Sequence, residues 1–168
     1  MLRALKNEKW WEVIAVSKNR EIKLRAESLG IAFKNLALQG GNGIRVIYFH
    51  LGFQMGLVEG RNISSTRQED FHVKREAFVR ELERVLTEQG FGEVKVMNID
   101  LFRREIRIRV YNGFESDFMK PSREPTCLFT RGYLEGLIEG LTGLKIRESL
   151  EIKCRAVGDP YCEMLFCI

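Results

Sequence analysis

Apolar positions recur at helical spacing through the first 90 residues of the chain, and then the period shortens to two. Leu29, Phe33 and Leu36 mark one face of a helix over residues 27–39, which Gly40-Gly41-Asn42-Gly43 breaks. A second helix, residues 44–61, is apolar nearly all round, the pattern of a helix enclosed inside a small domain. A third opens on the capping box Thr66-x-x-Glu69, repeats Phe71, Phe78, Leu82, Val85 and Leu86 on one face, and stops at Gly90. Its other face (Arg75, Glu76, Arg80, Glu81, Glu83, Arg84) reads as solvated surface. Val94, Val96 and Ile99 then predict a strand, and Ile106, Ile108 and Val110 alternate with Glu105, Arg107 and Arg109 in a half-buried one. A loop over residues 112–125 carries Phe114 and Phe118. A helix follows over residues 127–142, and two strands flank Gly158-Asp159-Pro160. Near the N-terminus Trp10 and Trp11 precede a short strand-like alternation at residues 21–25. The order predicts a single α+β domain over residues 1–168, an antiparallel β-sheet packed against helices.

Composition narrows the function classes. At 168 residues, 45% apolar and 30% charged, the chain can bury one core and is not a disordered tail. A net charge of +4 is too small a bias to point to direct nucleic-acid binding. The longest uncharged apolar stretch, residues 46–58, is short of the roughly 18 residues a bilayer span needs, and MLRALKNEKWWEV lacks the apolar block of a signal peptide. The expectation is a soluble cytoplasmic domain.

Two segments carry more than core patterning. Residues 49–60, FHLGFQMGLVEG, align without gaps on residues 129–140, FTRGYLEGLIEG, with six of twelve positions identical. Glycines fall at i, i+4 and i+8 in both: Gly52, Gly56 and Gly60, then Gly132, Gly136 and Gly140. Each glycine inside a helix costs about 1 kcal/mol relative to alanine, so each stripe needs an offset on the order of 3 kcal/mol. Close approach of another helix, a sheet or a ligand to the bare backbone supplies it. The stripes therefore wall a pocket, form a dimer contact or make a tight core packing.

All four cysteines, Cys127, Cys154, Cys162 and Cys167, lie in the last quarter of the chain. With a turn centred on Gly158, Cys154 and Cys162 stand opposite each other. Facing Cβ atoms about 4.5–5.5 Å apart suit two thiolates on one tetrahedral Zn2+. Cys167 faces the other way, and Cys127 is within reach as a third ligand, with a carboxylate as fourth. A cross-strand disulfide and a pair of inert buried thiols are the competing readings.

The run CLFTRGYLEGLIEGLTG followed by EIKCRAVGDPYC resembles the 4-vinyl reductase domain. That module binds small molecules and also occurs in phenol- and xylene-sensing transcription regulators. It is structurally akin to Golgi transport-particle subunits. The resemblance is densest over residues 126–166 and extends to Y-F-H-L-G-F-Q-M-G upstream. It implies a NO-signalling/Golgi-transport-like ligand-binding fold, a homodimer, a ligand cavity and a structural zinc. Carried over residue by residue, the zinc set is Cys127, Glu151, Cys154 and Cys162. The spacing from Cys127 to Glu151 is one residue longer than the family's, assigned here to residues 147–150. Glu151 and Cys154 are three apart, so joint ligation requires a bulge or bend in the strand.

No P-loop, no GxGxxG after a strand and no Ser/His/Asp set stands out, and nothing reads as a hydride-donor site. Glu135 and Glu139 read as surface residues, His72 as exposed and His50 as lying in an apolar helix. The leading reading is a domain that binds a small apolar or aromatic molecule and acts through a regulatory protein partner. His50, Phe53, Phe114, Phe118, Phe129 and Tyr133 would line its pocket, and Gly52, Gly56, Gly132 and Gly136 would set the helix packing. The alternative is an enzyme or accessory protein of tetrapyrrole vinyl-group reduction.

Overall fold

A computed structural model describes residues 24–67 and 75–168. The elements run α1 (Ala26–Arg67), α2 (Arg75–Glu88), β1 (Glu93–Asp100), β2 (Glu105–Tyr111), α3 (Phe114–Met119), α4 (Leu128–Thr142), β3 (Glu148–Lys153) and β4 (Cys162–Cys167). The four strands form one antiparallel sheet in the order β1-β2-β4-β3. The α+β expectation holds, with one element missed. The supposed loop after β2 contains the short helix α3, too brief to show a period. Glu148–Leu150 already belong to β3, so they are not loop. Trp10, Trp11, Phe71, His72, the 66–69 capping box and residues 21–23 of the N-terminal alternation lie outside the described residues or side chains.

The sheet's inner face is built in rows. Val94, Val110 and Cys162 stand side by side, then Val96, Ile108, Met164 and Glu151, then Ile99, Ile106 and Phe166. A bulge between Val96 and Asn98 shifts β1 by one residue, which brings Ile99 back to the face that Val94 and Val96 occupy. Phe78, Leu82, Val85 and Leu86 of α2 are buried in the same core. Glu81, expected on the solvated face, is buried, and its carboxylate takes the Arg84 guanidinium at 2.6 Å.

The predicted break falls at Gly41, where φ 55° and ψ −149° kink α1 without a loop. That conformation is essentially open to glycine alone. Beyond the kink, one face of α1 lies on α4. The two glycine stripes meet each other. A Cβ at Gly52 would sit 2.2 Å from the Phe129 carbonyl oxygen, and one at Gly132 2.1 Å from that of Phe49. Gly56 and Gly136 repeat the contact against Tyr133 and Phe53 at 2.1 and 2.0 Å. The helices are parallel, and each offers the same face to the other, so the matching segments form a pseudo-two-fold pair. Of the open readings, the stripes make a helix–helix packing within the chain.

The opposite face of α1 corrects a second expectation. Val46, Ile47, Leu51, Met55 and Val58 are exposed, so the helix is covered on one side and not enclosed. His50 is exposed beside them, its ring edge-on to Phe49. Among the described residues no helix is long and apolar enough to cross a membrane.

Candidate functional site

The C-terminal hairpin and the start of α4 converge on four donors. Cys127 is the N-cap of α4, Glu151 lies in β3, Cys154 follows β3 and Cys162 opens β4. One ligating atom from each lies within 4.8 Å of all the others. Glu151 and Cys162 already share the sheet's inner face. The register shift between Glu151 and Lys153 supplies the bulge that turns Cys154 toward the same point. None of the four cysteines is in a disulfide, and Cys167 stands apart, half-buried on β4.

Geometry and polarity fit a metal ion. Cys127 Sγ is 3.5 Å from Cys162 Sγ. Two sulfurs bound at about 2.3 Å to one tetrahedral ion would be about 3.8 Å apart. Glu151 Oε2 accepts the Cys127 backbone N–H at 2.9 Å, whereas Oε1 is buried with no hydrogen-bond partner. An orphaned carboxylate oxygen beside three sulfurs is what a cation would satisfy. The backbone N–H of Arg155 donates to Cys162 Sγ at 3.4 Å, and Asp159 Oδ2 fixes the turn by accepting the Cys154 N–H at 2.8 Å.

Protonation points the same way. Burial pushes the Glu151 carboxyl up, and Cys154 beside it adds to the shift. Hydrogen bonds with Cys127 and then Cys162 hold the Cys154 thiol far below the usual thiol range. The Cys127 thiol is raised well above that range by its bond to Cys154, then by Cys162 and burial. Without a cation the cluster keeps one thiolate and holds its other protons, because adjacent buried anions repel. A divalent ion reverses that balance and lets all four groups ligate as anions.

Above this centre, α4 begins on Glu115, a carboxylate of α3 that the sequence reading did not single out. It is 1% exposed, and its oxygens accept the N–H groups of Phe129 (3.0 Å) and Thr130 (2.9 Å) and the Thr130 hydroxyl (2.8 Å). It thereby satisfies free donors of the helix's first turn. Burial pushes this carboxyl up to about 7 against the pull of those donors. Glu139, expected at the surface, does the equivalent work at the other end. It is buried, accepts the Ile146 N–H at 3.0 Å and pairs with Lys145 at 2.5 Å. Glu135 is half-buried.

The six expected pocket residues do not gather around one cavity. Phe114, Phe129 and Tyr133 pack with Phe33 and Phe91 in an aromatic cluster, with ring centroids 4.7 to 6.4 Å apart. Tyr133 donates its hydroxyl to Gln89 at 2.6 Å. Phe118 lies against Gly30, where an added Cβ would meet its ring at 2.1 Å. Phe53 is half-buried on the α1–α4 crossing, and exposed His50 lines nothing in the core. Apolar side chains in a small domain fill space first with one another. A cleft of about 430 Å3 does exist beside the α1 kink, lined by other residues, including Tyr48, Met119 and Leu128.

Comparison with known proteins agrees with this picture. The family model of the vinyl-4-reductase domain matches residues 106–167, the stretch that holds all four donors. The uncharacterized protein MJ0855 of Methanocaldococcus jannaschii is 37% identical over 75 residues, 44% of this chain. The matched stretch spans 31% of the length of that relative. Among solved structures, the phenol-responsive sensory domain of the transcription activator PoxR, with phenol, superposes with a TM-score of 0.74. The identity is 23%, and the match covers 88% of this chain and 76% of that one. Trafficking protein particle complex subunit 3 from Naegleria fowleri, covalently bound to palmitic acid, superposes with a TM-score of 0.65 at 16% identity, covering 84% and 93%. These likenesses establish the fold.

Proposed function

Because residues 106–167 form a vinyl-4-reductase domain, we propose that the chain is a small-molecule-binding sensory domain stabilised by a structural Zn2+. The observation that carries the reading is the closed set of four donors, drawn from a helix N-terminus and two strands and brought within 4.8 Å. Three sulfurs and one carboxylate complete a tetrahedral shell, with no position left for a reacting water. The ion pins α4 to the sheet. Binding of an apolar or aromatic molecule is supported by two proteins of the same fold, solved with phenol and with palmitic acid. The aromatic cluster of Phe114, Phe129 and Tyr133 is the site best suited to such a guest, which enters as the rings part.

The domain works as a cytoplasmic homodimer. The exposed apolar face of α1, from Val46 to Val58, is the surface that a second copy covers, and any output passes through a regulatory protein partner. Metal analysis tests the centre. Wild-type protein carries about one zinc per chain and Cys154→Ser carries none; equal metal content in the two would remove the ion from the reading. Phenol titrated against the protein shifts the ring resonances of Phe129 and Tyr133. Unmoved resonances would remove the aromatic cluster as the site.

A further inference from the structure

The kink at Gly41 divides α1 into two arms, and the cleft lies where they diverge. Lys34 and Ala37 come from the first arm and Arg45 and Tyr48 from the second, and the 119–128 strap closes the other side. At about 430 Å3 the cleft is within the range of small-molecule sites, about 300–1,000 Å3. Its apolar surface comes from Ala37, Tyr48, Met119 and Leu128. The Tyr48 hydroxyl is already spent on the Phe33 carbonyl at 2.6 Å, so this residue offers a ring wall and no donor.

The charges around that surface are unbalanced. Lys34, Arg45 and Lys120 face one lining carboxylate, Glu124. Lys120 is held by Asp117 at 2.8 Å, and Lys34 has no ion pair among the described residues. Arg45 Nη1 takes Glu124 Oε1 at 2.5 Å, and that carboxylate is 62% exposed at the rim. A neutral hydrocarbon would strip water from these cations and return nothing. A carboxylate with an apolar body satisfies both halves of the cleft, and Glu124 already occupies the place its head would take on Arg45.

We propose that this cleft is a second binding site, for a small amphipathic carboxylate that displaces Glu124 from Arg45. Its head lies between Arg45 and Lys34 and its apolar body on Ala37, Tyr48, Met119 and Leu128. The site is separate from the aromatic cluster and independent of the metal centre. Occupancy is still felt there. The strap residue Ser122 donates its backbone N–H to Ala156, inside the Cys154–Cys162 turn, at 2.8 Å, and Thr126 and Leu128 flank Cys127.

The test uses octanoate and octanol as probes of the full chain, with methyl resonances of Ala37 and Met119 as reporters. Octanoate binds saturably and about fivefold or more tighter than octanol. Lys34→Ala weakens octanoate about two- to fivefold and leaves octanol unchanged, as for one partly exposed charge. Glu124→Gln removes the internal competitor and tightens octanoate about two- to fivefold. Equal affinity for the two probes, no saturable octanoate binding, or a Glu124→Gln variant that binds octanoate no better would overturn the proposal. Octanoate shifts confined to Phe129 and Tyr133 would overturn it too, while leaving the apolar site of the preceding section intact.

Discussion

Gly136→Ala adds one methyl group at the point where α1 and α4 come closest. Its Cβ would stand 2.0 Å from the Phe53 carbonyl oxygen and 2.7 Å from the Leu57 nitrogen, both backbone atoms. An ordinary carbon–oxygen contact is about 3.3–3.6 Å, so the helices must part by about 1.3 Å or more. No rotamer can relieve the clash, which puts the cost near the upper end of the roughly 1–3 kcal/mol for overpacking. Alanine returns about 1 kcal/mol of helix propensity, leaving a net loss of about 2 kcal/mol. Gly43→Ala is the internal control. It lies in the same helix as Gly52, its Cβ meets nothing within 4 Å, and its backbone is helical. It should gain up to about 1 kcal/mol. Urea denaturation of the three proteins, with thermal melts in parallel, reads both signs. Gly136→Ala is expected to lower the midpoint by about 4–8 °C and Gly43→Ala to raise it slightly. If Gly136→Ala were neutral or stabilising, the backbone contact would not be the offset that the glycine stripes require.

Gly41→Ala also meets no neighbour, yet φ 55° makes it costly. It should lower stability by about 1–3 kcal/mol in the same melts, opposite in sign to its neighbour Gly43→Ala two residues on. Glu115 gives a pH signature. Its folded-state pKa is raised to about 7, so between about pH 4.5 and 7 the native state holds a proton that the unfolded chain releases. Stability from this group is full below that window and falls as pH rises through it. The melting temperature of Glu115→Gln should therefore decline less from pH 5 to 8 than that of wild type; parallel declines would contradict the assignment. Leu51→Glu places a charge in the middle of the exposed face of α1. Light scattering should report a monomer where the wild type is a dimer, with an unchanged circular dichroism spectrum.

Periodicity and local chemistry alone determined much of this protein. The alternation of Ile106, Ile108 and Val110 specified β2, and the glycine cluster at 40–43 located the kink in α1. The spacing of Cys154 and Cys162 about Gly158 announced a facing pair, and the motif around it announced Glu151 and Cys127 as companions. Such features are legible because they depend on residues close in sequence. Partnership between distant segments is not. The sequence showed two glycine stripes with no sign that each is the other's partner, because a bare backbone accepts a helix, a sheet or a ligand equally well. The apolar run at 46–58 looked enclosed because hydropathy reports preference and not coverage, and only the tertiary packing leaves its outer face open. Glu81, Glu115 and Glu139 are buried because donors from elsewhere in the fold reach them, which composition cannot foretell. The cleft belongs to the same class: it exists because two arms of one helix diverge from a strap 80 residues away, and shape between non-neighbours is decided only when the chain closes on itself.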